Sequence, residues 1–223
     1  MNIYMTEQEQ IESIKKWWHA HGWQVLTLAL VIMLAFAGSQ IWQKHQAKTH
    51  ILASNYYEAL MVSVAQGDDE ALSGQAREII LNFPSSVYAA SSALVYAKVL
   101  AYQEKWALAS QKLQWVIDNA QNSQFRQVAR IRLAKIKAYL KQYTAALSVL
   151  ATVEDPAYLP LIYETRGDLY AEQAKISLAQ KQYIQALAFY PKLGMRSPFL
   201  EMKLHDLTVS DLNPSLLSQQ AKL

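Results

Sequence analysis

The stretch from Trp23 to Trp42 reads WQVLTLALVIMLAFAGSQIW and carries no Asp, Glu, Lys or Arg. Wound as an α-helix, about 20 residues rising about 1.5 Å each cover about 30 Å, the thickness of a bilayer's hydrocarbon core. In lipid such a segment is helical because a helix satisfies its own backbone hydrogen bonds. Its flanks suit a membrane. Trp17, Trp18 and Trp23 stand at one end and Trp42 at the other, where indole rings settle among headgroups. Lys15 and Lys16 precede the run, and Lys44 and Lys48 follow it. The expected span is 23–42. The chain beyond Lys44 is too polar for a second span, so it reads as a soluble domain tethered to a membrane.

Ala35-Phe36-Ala37 before Gly38 has the form of a signal-peptidase site. Three features oppose cleavage. The polar segment 1–22 is long for a signal peptide's opening region, the apolar run continues past Gly38 to Ile41 and Trp42, and helical patterning persists through Gln43–Tyr57. The span therefore reads as a retained anchor. Two lysines lie on each side of it, so the positive-inside rule leaves the orientation open. Within 1–22, Thr6-Glu7-Gln8-Glu9 fits a capping box. Ile11, Ile14, Trp17 and Trp18 share one helical face. That face suits either a short interfacial helix leading into the span or a docking helix for a membrane partner.

A length of 223 residues allows the span and one domain. Cysteine is absent, which excludes disulfides, thiolate metal sites and thiol catalysis. Six Gly and six Pro are few for this length and favour helix throughout. The net charge is only +3, without a basic block interleaved with aromatics, so no nucleic-acid partner is expected.

From about Ala53 onward, helical patterns alternate with short turns. Gly167 and Tyr170 stand on one helix, Ala179, Tyr183 and Ala186 on the next, and Pro191 closes the pair. Ala134 precedes Ala146 and Leu150 in the same way, and Ala97 precedes Ala109, Leu113 and Val116. A weaker unit starts near Ala53, with Leu60 at the equivalent point and Pro84 at its end. The equivalents Leu60, Ala97, Ala134 and Gly167 are 37, 37 and 33 residues apart. Small residues at a helix crossing let two backbones approach closely. The pattern resembles tetratricopeptide (TPR) repeats, helical pairs of about 34 residues. Asp155-Pro156 starts the last pair after a short insertion. The expected fold is all-α: a single N-terminal transmembrane helix followed by a TPR-like solenoid over 43–207. A polar tail, 208–223, is expected to be mobile.

TPR arrays present the first helix of each pair to a concave groove. That resemblance places Tyr57, Leu94, Lys98, Tyr102, Ile131, Lys135, Tyr139, Glu164 and Asp168 on one side. Lys98 matches Lys135 and Tyr102 matches Tyr139, so the groove suits an extended segment of acidic or apolar character. Taken singly, each of these residues also suits solvent or a helix seam. Catalytic patterns are missing from the sequence: His19, His21, His45 and His50 flank the span without metal-site spacing, His205 is alone, and no GxSxG, HExxH or phosphate-cradling loop occurs. Neither enzymatic activity nor a cofactor or metal is expected.

The layout also resembles the YfgM family, ancillary subunits of the bacterial SecYEG translocon. The likeness is carried by Tyr4, Glu7, Glu9, Gln10, Glu12, Lys15, Lys16, Trp17, Trp18 and Gly22, then by Trp42 and His45 after the span. It continues through Tyr57, Ala59, Asn82-Phe83-Pro84-Ser85, Arg166-Gly167-Asp168-Leu169-Tyr170 and the ending from Pro198 to Leu207. The resemblance implies a cytoplasmic amino end and periplasmic repeats in a bacterial inner membrane. It implies partnership with SecYEG and with a PpiD-like periplasmic chaperone, and transfer of exported client proteins between them. An envelope-stress regulator, or a scaffold acting through protein contacts, is the alternative expectation.

Overall fold

Helix α1 (Glu7–Gln66) carries the apolar run and continues without a break into the repeats. The computed structural model describes residues 7–212; the side chains of 7–10, 13–14, 41–48, 193 and 209–212 lie outside that description. The chain divides into two units, Met1–Leu52 and Ala53–Leu223, with the division inside α1. The described residues are all-α.

In the first unit, Lys15–Gln40 is long and apolar enough to cross a bilayer. Leu26, Leu28, Leu30, Val31, Ile32, Met33, Leu34 and Phe36 are all exposed, so apolar side chains cover every face. A helix apolar all round requires lipid or protein about it. Trp17, Trp18 and Trp23 are exposed near its start, and the Trp17 ring stacks on His21 with centroids 5.6 Å apart. Trp42 lies within α1, its side chain outside the description. The backbone shows no break at 22–23 or 42–43, where the sequence suggested segment boundaries: no proline stands there, and Gly22 is accommodated within the helix. Thr6 of the capping box lies outside the described residues.

In the second unit, the last turns of α1 pair with α2 (Asp69–Asn82), α3 (Val87–Tyr102) with α4 (Trp106–Asn119), α5 (Ser123–Tyr139) with α6 (Tyr143–Val149), and α7 (Leu159–Glu172) with α8 (Ile176–Phe189). A final helix, α9 (Pro198–Leu212), closes the stack. Side chains start several helices: Asp68, Ser86 and Asn122 accept from the backbone amides of Ala71, Ala89 and Gln124.

Within each pair the turn is built alike. Gly67, Glu104, Lys141 and Ala174 adopt left-handed φ values of 70°, 58°, 59° and 56°. The residue after each donates its amide back to Ser63, Leu100, Lys137 and Tyr170 at 3.0, 2.9, 2.8 and 2.9 Å. This six-to-one bond, with a left-handed residue before it, is the Schellman ending of a helix. Each left-handed residue lies seven positions after Leu60, Ala97, Ala134 or Gly167, so the repeat register read from the sequence is also the register of the turns.

The crossings obey a volume rule. Sixteen residues after Leu60, Ala97, Ala134 and Gly167 come Ala76, Leu113, Leu150 and Tyr183. All eight are buried. Leu60 shares a core with Ala76, Ala97 with Leu113, and Ala134 with Leu150, while the Tyr183 ring fills the space that a side chain at Gly167 would need. One partner is always small and the other large, which holds the helix separation constant in a close-packed interior. In the first pair the roles are reversed.

The insertion after α6 is pinned to α5. Gln127, fully buried, accepts the Glu154 amide at 3.1 Å. The Glu154 carboxylate pairs with Arg126 and Arg130, and the hydrogen bond from Arg126 holds its pKa below the usual carboxylate value. Asp155 then caps a 3-10 turn, Pro156–Tyr158, that leads into α7, where the sequence placed the start of the last pair. At the other end, Leu200 of α9 is fully buried with Tyr183 and Ala186. The expected tail is corrected at its start: α9 runs past Leu207 to Leu212, with the Thr208 hydroxyl donating to the Leu204 carbonyl at 2.7 Å as helical geometry allows. Residues 213–223 lie outside the described residues.

Candidate functional site

The first helices of successive pairs, α3, α5 and α7, border two adjoining depressions. The first, about 340 Å³, has a floor of Ala97, Ala101, Leu113 and Ile136 and a rim of Lys98, Arg132 and Lys135. The second, about 690 Å³, sets Lys135, Ala138, Tyr139 and Lys141 opposite Thr165, Asp168, Leu169 and Glu172. Lys135 borders both, so they form one groove. Alanines at 97, 101 and 138 keep its floor recessed. The groove has an apolar bed and charged walls, which makes it the candidate binding surface of the fold.

The basic side of the groove is unpaired. Lys98, Lys135 and Arg132 have no ion-pair partner among the described residues. Lys98 lies over the Tyr102 ring, 5.6 Å from its centroid, and Arg132 donates to the Leu94 carbonyl at 3.3 Å. Tyr102 is 78% exposed and Tyr139 59% exposed, the latter packed against Trp106 with centroids 4.4 Å apart.

Other expected residues sit elsewhere. Leu94 and Ile131, placed on the groove by family habit, are core residues. Each first helix is flanked by pairs on both sides, so the position three before the crossing faces a neighbour: Leu94 joins the core of α3, α4 and α5, and Ile131 that of α5, α6 and α7. Tyr57 packs beside Tyr88 with centroids 5.6 Å apart, at the edge of the first core. Glu164 is taken up by the closing helix. Lys203 of α9 donates to Glu164 at 3.0 Å and to Asp168 at 2.8 Å. The Tyr190 hydroxyl donates to Glu164 at 3.0 Å and the Tyr183 hydroxyl to Asp168 at 2.7 Å. Burial, with the carboxylates beside them, pushes the Tyr190 phenol up to about 12 and raises Tyr183 as well. Partial burial lowers the Lys203 pKa, and its bonds to Asp168 and Glu164 outweigh this to raise it. Asp168 alone serves both the cap and the groove.

The sequence reading missed Arg132, Ile136, Lys141 and Glu172. Glu172 was within reach, because it follows Tyr139 by 33 residues, the interval from Ala134 to Gly167. Among the described residues, no group of His, Cys, Asp or Glu is arranged to hold a metal ion.

A tetratricopeptide repeat-like domain matches residues 15–209. The chain belongs to that family. The match begins inside α1 and ends in α9, so the family's extent includes both the apolar helix and the cap. Curated relatives bear out the YfgM resemblance. An ancillary SecYEG translocon subunit of Neisseria gonorrhoeae is 28% identical over 93% of this chain and its own whole length. Proteins of the same name from Escherichia coli and Haemophilus influenzae are 22% and 24% identical, over 94% and 93% of this chain and the whole of each.

Proposed function

We propose that this chain is a membrane-anchored, non-enzymatic adaptor of the SecYEG translocon that receives exported polypeptides in its groove and passes them to periplasmic chaperones. The supporting observation is the end-to-end similarity to proteins named ancillary SecYEG translocon subunit, on a repeat fold whose groove has unpaired charges over an apolar bed. In this reading α1 spans the inner membrane, its amino end is cytoplasmic, and the repeats are periplasmic beside a PpiD-like chaperone. Trp17, Trp18, Trp23 and Trp42 sit at the two membrane surfaces.

Tethering explains how such a groove acts without an energy source. A site held beside a channel meets an emerging chain at an effective concentration that reaches the millimolar range for short linkers. Weak contacts therefore suffice for capture, and weak contacts release quickly. Release needs no nucleotide and no cofactor. The test is purification of the intact protein from native membranes in mild detergent, with partners identified by mass spectrometry. Recovery of translocon subunits together with a periplasmic chaperone is expected. Recovery of a stress-signalling or cell-wall complex in their place overturns the proposal.

A further inference from the structure

The groove reverses its charge along the repeat register. Lys98, Lys135 and Asp168 occupy equivalent positions, at intervals of 37 and 33 residues. Tyr102, Tyr139 and Glu172 form a second equivalent row. Three cations and no carboxylate rim the depression between α3 and α5. Asp168 and Glu172 form the far wall of the depression between α5 and α7. The acidic pole already holds a cation: Lys203 Nζ lies 2.8 Å from Asp168 Oδ1. Glu172 stands one turn further along α7, is exposed, and interacts with the charge of Lys141 across the depression without forming an ion pair among the described residues.

We propose that the groove selects extended polypeptide segments of mixed charge, with a carboxylate and an apolar side chain over α3–α5 and an ammonium or guanidinium over α7. This rests on the reading of the groove as a client site. Charge complementarity sets the occupant. An all-acidic segment meets Asp168 and Glu172, an all-basic one meets Lys98, Arg132, Lys135 and Lys141, and an apolar one leaves Lys98, Arg132, Lys135 and Glu172 without an ion pair. Adjacent packed helices lie about 10 Å apart, and an extended chain advances about 3.3 Å per residue, so the opposite charges stand about three residues apart in the segment. Dependence on a few exposed charges also makes the preference mild and salt-sensitive, which suits rapid handover of many sequences.

The test uses the full chain in detergent and four fluorescein-labelled peptides of about 12 residues, read by fluorescence anisotropy. All four carry one Leu. Two positions three apart next to it hold Glu and Lys, two Glu, two Lys, or two Gln. The Glu/Lys peptide is expected to bind about fivefold more tightly than the Gln peptide at low salt, with the ranking lost near 0.5 M salt. Glu172→Lys should make the two-Glu peptide the best ligand, and Lys98→Glu should shift preference toward the two-Lys peptide. Saturable binding of all four peptides within twofold, or a ranking that both variants leave unchanged, overturns the mixed-charge preference while leaving the client groove standing. Failure of every peptide to bind overturns the client groove itself.

Discussion

Substituting alanine for glycine at two helical positions should change stability in opposite directions. A Cβ built on Gly167 overlaps Cδ1 and Cε1 of Tyr183 and stands 3.1 Å from its Cζ. Tyr183 is 3% exposed and its hydroxyl is bonded to Asp168 at 2.7 Å, so the ring cannot move aside without losing that bond. Overpacking costs about 1–3 kcal/mol, and a lost hydrogen bond to a carboxylate about 1.5–3 kcal/mol. Alanine's better helix propensity returns about 1 kcal/mol. The net for Gly167→Ala is roughly 3 kcal/mol of destabilisation, or about 6–12 °C of melting temperature for a domain of this size. Gly74 in α2 has no atom within 4 Å of its would-be Cβ. Gly74→Ala should therefore raise the midpoint by about 2–4 °C. Thermal unfolding of the full chain in detergent, followed by circular dichroism, measures both. The pair Gly167→Ala/Tyr183→Leu recreates the alanine–leucine crossing of the two preceding pairs and should recover the overpacking part of the loss, about 1–3 kcal/mol, but not the hydroxyl's bond to Asp168. If Gly167→Ala stabilises as Gly74→Ala does, the volume argument at the crossings is wrong.

Leu60→Ala should cost about 2–4 kcal/mol in urea unfolding, because it sets two alanines against each other; adding Ala76→Leu should restore more than half. Ala174→Gly should stabilise by about 0.5–1 kcal/mol, since alanine is strained at a φ of 56° where glycine is not; unchanged urea unfolding would count against strain at this turn. Stability should also fall in alkali. The folded Tyr190 phenol is raised from 10.0 to about 12, so its contribution is complete below pH 10 and is lost as pH rises through about 12. Tyr190→Phe should flatten that decline in pH-dependent unfolding; an unaltered slope would remove Tyr190 from the account.

The repeat register was legible in the sequence because it rests on local patterning. The resemblance to tetratricopeptide repeats placed Leu60, Ala97, Ala134 and Gly167 at equivalent points, and all four are buried at crossings. Capping is just as local: Asp68 caps α2, and Asp69 and Glu70 stand in its first turn. The groove was legible only in part. Lys98, Lys135, Tyr139 and Asp168 line it. Leu94 and Ile131 were misplaced because a helix in a solenoid is buried on two sides, which widens its apolar face beyond the stripe that one-sided periodicity anticipates. Glu164 was misplaced because its partner, Lys203, is 39 residues away on a helix read only as a family ending. Contacts of that range leave no periodic trace.

The alternating volumes at the crossings suggest how such repeats diverge. What stays fixed from pair to pair is a total shared by two sites, so neither site alone records the history. A lineage can exchange the two roles by first shrinking the large partner and later enlarging the small one. The intermediate carries a cavity costing about 2–4 kcal/mol, tolerable for a fold with 5–15 kcal/mol in hand. Leu60 and Ala76, opposite in sense to the other three pairs, have the arrangement that such an exchange would produce. Likeness among these repeats is therefore written in pairs of positions, and a comparison made one position at a time scores the first pair as different at both of its crossing sites.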